Sequence, residues 1–127
     1  GVSEELIEKT PFLLPMYLKK ASRFFRNNGC IVIQAHPFRP YIYRANAKYL
    51  DGVEILNGKS SKEENDKALK WAERKGLKIR TAGSDCHRAT GAGLTGIVTN
   101  EPIKTNDDLL RVLRNGEFEI IERAYEK

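Results

Sequence analysis

The strongest constraint on this chain is an alternation of short apolar runs with stretches of helical periodicity. Cys30-Ile31-Val32-Ile33 is one nearly continuous apolar run, and Gly52-Val53-Glu54-Ile55-Leu56 is a second. Such runs suit strands covered on both faces, as in parallel sheets. Leu77–Ala82, Thr95–Thr99 and Phe118–Ile121 are three further strand candidates. Between Tyr17 and Asn28 the residues Leu18, Ala21, Phe24 and Phe25 fall at helical spacing, and Asn28-Gly29 is the stop. A better-marked helix follows Ser61, which forms a capping-box pattern with Glu64; Ala68, Leu69 and Ala72 supply a narrow buried stripe and Gly76 ends it. A last helix starts at Thr105–Asp108, places Leu109, Leu110, Val112 and Leu113 inside, and stops at Asn115-Gly116. Pro11 and Pro15 confine the first dozen residues to an extended or loop-like lead-in. The expectation is an α/β fold, a mostly parallel sheet with flanking helices, open or part of a barrel.

A chain of 127 residues suits a single domain, 1–127, with a real core. Its 40% hydrophobic and 31% charged residues exclude disordered and collagen-like classes. No apolar run approaches the roughly 20 residues that would span a bilayer, so no membrane partner is expected. The opening Gly-Val-Ser-Glu-Glu lacks the pattern of a signal peptide, and Cys30 and Cys86 do not make a disulfide framework; a reducing cytoplasm is the expected location. The net charge of +5 reads as scattered Lys and Arg, fitting either a solvated surface or attraction to anionic partners such as phosphates or nucleic acid. The aromatic placement suggests no single-strand stacking platform.

The only two histidines each follow a strand candidate. Ligands bind at the carboxyl ends of strands in parallel α/β folds, so His36 and His87 can converge there. Asp85 lies two positions before His87, and on an extended segment both would face one centre. Two imidazoles and a carboxylate suit zinc, manganese or iron, and three protein ligands leave a position open for a water nucleophile. Each feature alone has a plainer reading: a hydrogen-bonded histidine in a turn, or an aspartate capping local amides. Cys86, on the opposite parity, reads as a buried packing thiol and Cys30 as core; a Cys86–His36 nucleophile pair would have no orienting partner. Arg39 and Arg88 lie within three residues of the candidate ligands and either clamp a phosphate or face solvent. Glu54, on a strand between apolar neighbours, needs a partner to be buried; with Asn57 it is expected to support the site from behind. Gly91–Gly96 resembles a phosphate-cradling loop but lacks the P-loop ending, and reads better as a flexible loop beside the site.

Gly29–Pro37 (with Ala35-His36-Pro37), Asp51–Asn57 and Ala82-Gly83-Ser84-Asp85-Cys86-His87 resemble the later motifs of the PHP family, the polymerase and histidinol phosphatase domains. The resemblance covers roughly residues 15 to 100. It implies part of a distorted (β/α)7 TIM-like barrel and a divalent metal centre that hydrolyses phosphomonoesters or phosphodiesters. The implied substrate is a phosphorylated small molecule or a nucleotide. By the same resemblance His36, Asp85 and His87 are metal ligands, and Asp85 and His87 also have catalytic roles. The family's opening His-x-His motif has no counterpart, since no histidine precedes His36. The chain therefore looks like the carboxyl-terminal portion of such a domain, either an incomplete phosphoesterase or a non-catalytic interaction or regulatory module. A basic nucleic-acid-binding fragment is the weaker alternative. Five strands cannot close a seven-stranded barrel, so the exposed edges make a homodimer an expectation.

Overall fold

The computed structural model describes residues 1–10, 17–89 and 92–123. Helices α1 (Glu4–Glu8), α2 (Leu18–Asn27), α3 (Lys62–Lys75) and α4 (Asn106–Asn115) alternate with strands β1 (Ile33–Gln34), β2 (Gly52–Asn57), β3 (Ile79–Gly83), β4 (Thr95–Thr99) and β5 (Phe118–Glu122). The capping box of α3 forms as its sequence predicts: Ser61 Oγ accepts from the Glu64 N–H while Glu64 Oε2 accepts from the Ser61 N–H. Gly76 closes that helix at a φ of +64°, a conformation costly for any residue with a Cβ. Helix α4 repeats the design with Thr105, Asp108 and Gly116.

The first ten residues correct the expected lead-in. Ser3 caps α1 by accepting from the Leu6 N–H, with Glu4 and Glu5 in the first turn, a favourable charge for a helix start. The expectation drawn from Pro11 and Pro15 themselves lies outside the described residues. In α2 Leu18 is exposed and Ala21, Phe24 and Phe25 are only half-buried; Ser22 is the buried residue, donating from its hydroxyl to the Tyr49 carbonyl at 2.8 Å.

Strands β1, β2 and β3 form a parallel sheet in that order, with Gln34 opposite Val53 and Asn57 opposite Gly83. Parallel pairing brings their carboxyl ends to one edge. The Cys30–Ile33 strand is shorter than expected and half-buried beyond Cys30. Its early amides are taken elsewhere: Cys30 donates to Phe25 O, and Val32 donates to the Asp51 carboxylate at 2.7 Å. The core lies between β2 and α3, where Leu50, Val53, Trp71, Ala72 and Leu77 pack together. Phe38 meets Trp71 edge-to-face at 6.3 Å. Trp71 replaces Leu69 in the stripe: positions 68, 71 and 72 share a face, whereas Leu69 is exposed.

Strands β4 and β5 depart from the single sheet. They pair antiparallel with each other, and among the described residues no closed barrel is formed. Strand–helix alternation places α4 between the two strands but does not fix the direction of the second. The exposed Asn100–Thr105 connection can span about 20 Å when extended, more than the roughly 16 Å length of β4. It can therefore carry the chain back along β4 before α4 begins, leaving β5 to enter in the opposite sense. Among the described residues, no helix is long and apolar enough to cross a membrane.

Candidate functional site

The shared carboxyl edge of β1, β2 and β3 gathers the residues singled out from sequence. His36 follows β1, Glu54 and Asn57 lie on β2, and Asp85 and His87 follow β3. The ladder continues one step past the strands, where Gly58 donates to the Gly83 carbonyl at 2.9 Å.

Glu54 is the hub of this edge. Its Oε2 accepts from the His36 backbone N–H at 2.8 Å and from Asn57 Nδ2 at 2.9 Å. Three positions apart on a regular strand, Glu54 and Asn57 would face opposite sides. They meet because the β2–β3 register shifts between Glu54 and Leu56, an irregularity that re-aims the strand's end. Asn57 is 2% exposed; its Oδ1 accepts from the Lys59 N–H, and Asn65 holds its backbone N–H and carbonyl. Gly83 lets the Glu54 carboxylate sit close, because a Cβ there would lie 2.5 Å from Oε1.

Arg39 reaches across from the loop after β1 to form an ion pair with Asp85 Oδ2. Partial burial alone would raise the Asp85 carboxyl, but the Arg39 guanidinium, aided by His36 and His87, holds it below the ordinary carboxylate value. The His87 ring is 71% exposed, with Nδ1 3.9 Å from Asp85 Oδ1. That nitrogen also lies 2.8 Å from the Asp85 carbonyl and 2.9 Å from Lys59 Nζ. The carbonyl requires a proton on Nδ1 and the ammonium requires a lone pair, so only one of these bonds forms at a time. His36 Nδ1 is buried and has no hydrogen-bond partner among the described residues.

Asp85 and His87 do not share an extended segment. Asp85 has a φ of +50°, and residues 84–86 leave the strand geometry, so proximity comes from a turn rather than from parity. The same turn exposes Cys86, correcting its reading as a packing thiol, and its Sγ donates to the Arg88 carbonyl. Arg88 is exposed, and Gly91 of the glycine loop lies outside the described residues. Among the described residues, no three His, Cys, Asp or Glu side chains are grouped closely enough to hold a metal ion. Sequence reasoning passed over Lys59, although it too follows a strand in the same sheet, the signal that pointed to both histidines.

Two comparisons, with curated proteins and with solved structures, give no match. A scan of family models matches residues 62–118 to the one described as PHP-associated. Residues 62–118 are thus similar to a PHP-associated region. The matched stretch runs from α3 to the first residue of β5 and contains Asp85 and His87. His36, Arg39, Glu54, Asn57 and Lys59 precede it.

Proposed function

We propose that this chain carries the carboxyl-terminal part of a PHP-type metal-dependent phosphoesterase site, acting on a phosphomonoester or phosphodiester. The observation that carries the reading is His36 Nδ1, a buried ring nitrogen without a partner among the described residues, on the edge that also holds Asp85 and His87. An unsatisfied buried polar atom costs about 1–3 kcal/mol, and a divalent cation is a partner that a neutral imidazole accepts. The donor chemistry fits zinc, manganese or iron. His36, Asp85 and His87, not grouped closely enough in this structure, would have to close around the ion, which when bound would supply an activated water and offset charge on phosphate oxygens.

The remaining roles belong to the chain itself. Glu54 fixes the His36 backbone, and Asn57 fixes Glu54. Arg39 pairs with Asp85 Oδ2 and leaves Oδ1 for an ion, and a guanidinium that lets go of Asp85 can grip phosphate oxygens in bidentate fashion. Lys59 and Arg88 add positive charge on the same edge. His87, exposed and in contact with both Lys59 and the Asp85 carbonyl, is placed to carry a proton between substrate and solvent.

Elemental analysis of protein purified without chelator or histidine tag, then incubated with zinc or manganese, tests this reading. About one ion per chain is expected, lost in His36→Ala and in Asp85→Ala, with metal-dependent hydrolysis of an aryl phosphate. Absence of bound ion under every condition would refute it. The Arg39–Asp85 pair favours a second reading, a non-catalytic module in which the guanidinium permanently neutralises Asp85. In that case removing Arg39 creates no metal affinity.

A further inference from the structure

The positive charge of this chain is concentrated, not scattered. Between Glu8 and Asp51 the sequence contains eight Lys or Arg and no acidic residue, although the whole chain is only +5. The rest of the molecule is therefore acidic overall. Within the basic stretch, α2 and the 3-10 turn at Ala47–Tyr49 line an open groove of about 340 Å³, whose wall includes Lys19, Arg23, Arg26, Lys48 and Tyr49. Arg26 is committed to Asp51, and Lys48 lies over the Tyr49 ring at 4.9 Å.

The loop joining His36 to that turn displays two aromatic rings. Tyr41 is 99% exposed and Tyr43 94% exposed. The loop is held firmly: the Gln34 side chain donates to the Tyr43 carbonyl and accepts from the Ala45 N–H, both at 2.9 Å. Arg44 stacks on Phe38, which packs into the core against Trp71. Tyr41 has a φ of +67°, and the other non-glycine residues with positive φ among those described are His36 and Asp85. Unfavourable backbone conformations persist where the surroundings impose them and cluster at functional sites. Here one of them lifts a tyrosine ring fully into water, beside Arg39 and Arg44.

We propose that this segment binds single-stranded nucleic acid, with phosphates along the α2 groove and bases stacked on Tyr41 and Tyr43. The exposure of Tyr41 and Tyr43 revises the sequence reading, which saw no stacking platform: cations along a groove and exposed rings on the loop that leads to it are what an unpaired strand requires, since every base has a stacking face and every linkage a charge. An anionic membrane would take the charge and can seat tyrosines at its interface, so vesicle binding is one of the outcomes tested below. A second copy would bring the same positive surface against itself. The loop starts at His36 and sends Arg39 to Asp85, so a strand held there lies next to the candidate site. The binding itself does not depend on the hydrolytic reading.

Fluorescence anisotropy with a labelled thymidine oligomer of about 12 nucleotides, in chelator at low salt, tests the proposal. Expected are saturable binding that weakens steeply with salt, and a loss of about tenfold or more in the Tyr41→Ala/Tyr43→Ala double variant. The Tyr41→Phe/Tyr43→Phe variant keeps the affinity, and Lys19→Glu/Arg23→Glu lowers both the affinity and the salt slope. All these residues are exposed, so circular dichroism should be unchanged. No saturable binding, full affinity without the tyrosine rings, or equal binding to phosphatidylserine vesicles dependent on both tyrosines would overturn it. So would a dimer in sedimentation that the double alanine variant dissociates. Oligomer binding in chelator with no metal-dependent hydrolysis would refute only the phosphoesterase reading.

Discussion

Asn57→Ala is the substitution that best tests how the strand-end edge is held. The side chain donates one hydrogen bond to the Glu54 carboxylate and accepts one from the Lys59 N–H, in a residue only 2% exposed. A hydrogen bond to a charged group contributes about 1.5–3 kcal/mol and a neutral one about 0.5–1.5 kcal/mol, so their joint loss should cost about 2–4 kcal/mol. Against a domain stability of about 5–15 kcal/mol this is a large fraction, and at this chain length it lowers Tm by about 10 °C. Urea unfolding followed by circular dichroism reads the change as a lower midpoint with an unchanged slope. Asn65→Ala is the comparison. Asn65 bonds only the Asn57 backbone, at 3.0 and 3.3 Å, and its loss should cost about 1–2 kcal/mol. A loss below about 1 kcal/mol for Asn57→Ala, or a larger loss for Asn65→Ala, would refute the assignment of Asn57 as the brace of Glu54.

Gly52→Ala should cost about 1–3 kcal/mol or prevent folding, because the added Cβ would lie 2.4 Å from the Ile79 carbonyl, backbone that cannot swing aside. Gly96→Ala, with open space at its Cβ, is the control in the same unfolding assay. Arg39→Ala should raise zinc affinity severalfold in a competition titration by removing the cation that occupies Asp85; unchanged affinity would count against ligation by Asp85. The Thr105 hydroxyl, then the Lys104 and Thr105 N–H groups, hold the Asp108 carboxyl below its ordinary value of 3.8. Its folded value thus lies below its unfolded one, so its contribution is complete above about pH 4 and is lost as pH falls through the folded value. Urea midpoints at pH 7 and pH 3 should therefore differ less in Asp108→Asn than in the parent chain.

Much of this architecture could be read from residues whose effects are local. Ser61 with Glu64, Thr105 with Asp108, Gly76 and Gly116 each determine a helix end within one turn of chain, and the structure places them as expected. The clustering of His36, Glu54, Asn57, Asp85 and His87 at one edge followed from parallel strands and their carboxyl ends. What was not legible depended on contacts distant in sequence. Asp51 withdraws Val32 from the ladder, Arg39 claims Asp85 from 46 positions away, and Lys59 meets His87 across 28. The direction of β5 was hidden for a related reason, since alternation of element types carries no information about sense. Cys86 was misjudged because parity was applied to a segment where Asp85 adopts a left-handed turn.

The register shift in β2 gives this strand two reading frames. From Gly52 to Glu54 it is paired in one phase with β3, and from Leu56 onward in another. A one-residue deletion in a half-buried strand normally inverts every side chain beyond it. In β2 the deletion of Ile55 would do something narrower: it would restore regular alternation, leave Val53 in the core, and set Asn57 two positions after Glu54, on the same face. The irregularity thus absorbs Ile55, so that Glu54 and Asn57 share one face despite their odd spacing and Val53 stays in the α3 core. Any grafting of this edge onto a regular parallel strand would have to transfer the irregularity with the three-position spacing, or close that spacing to two.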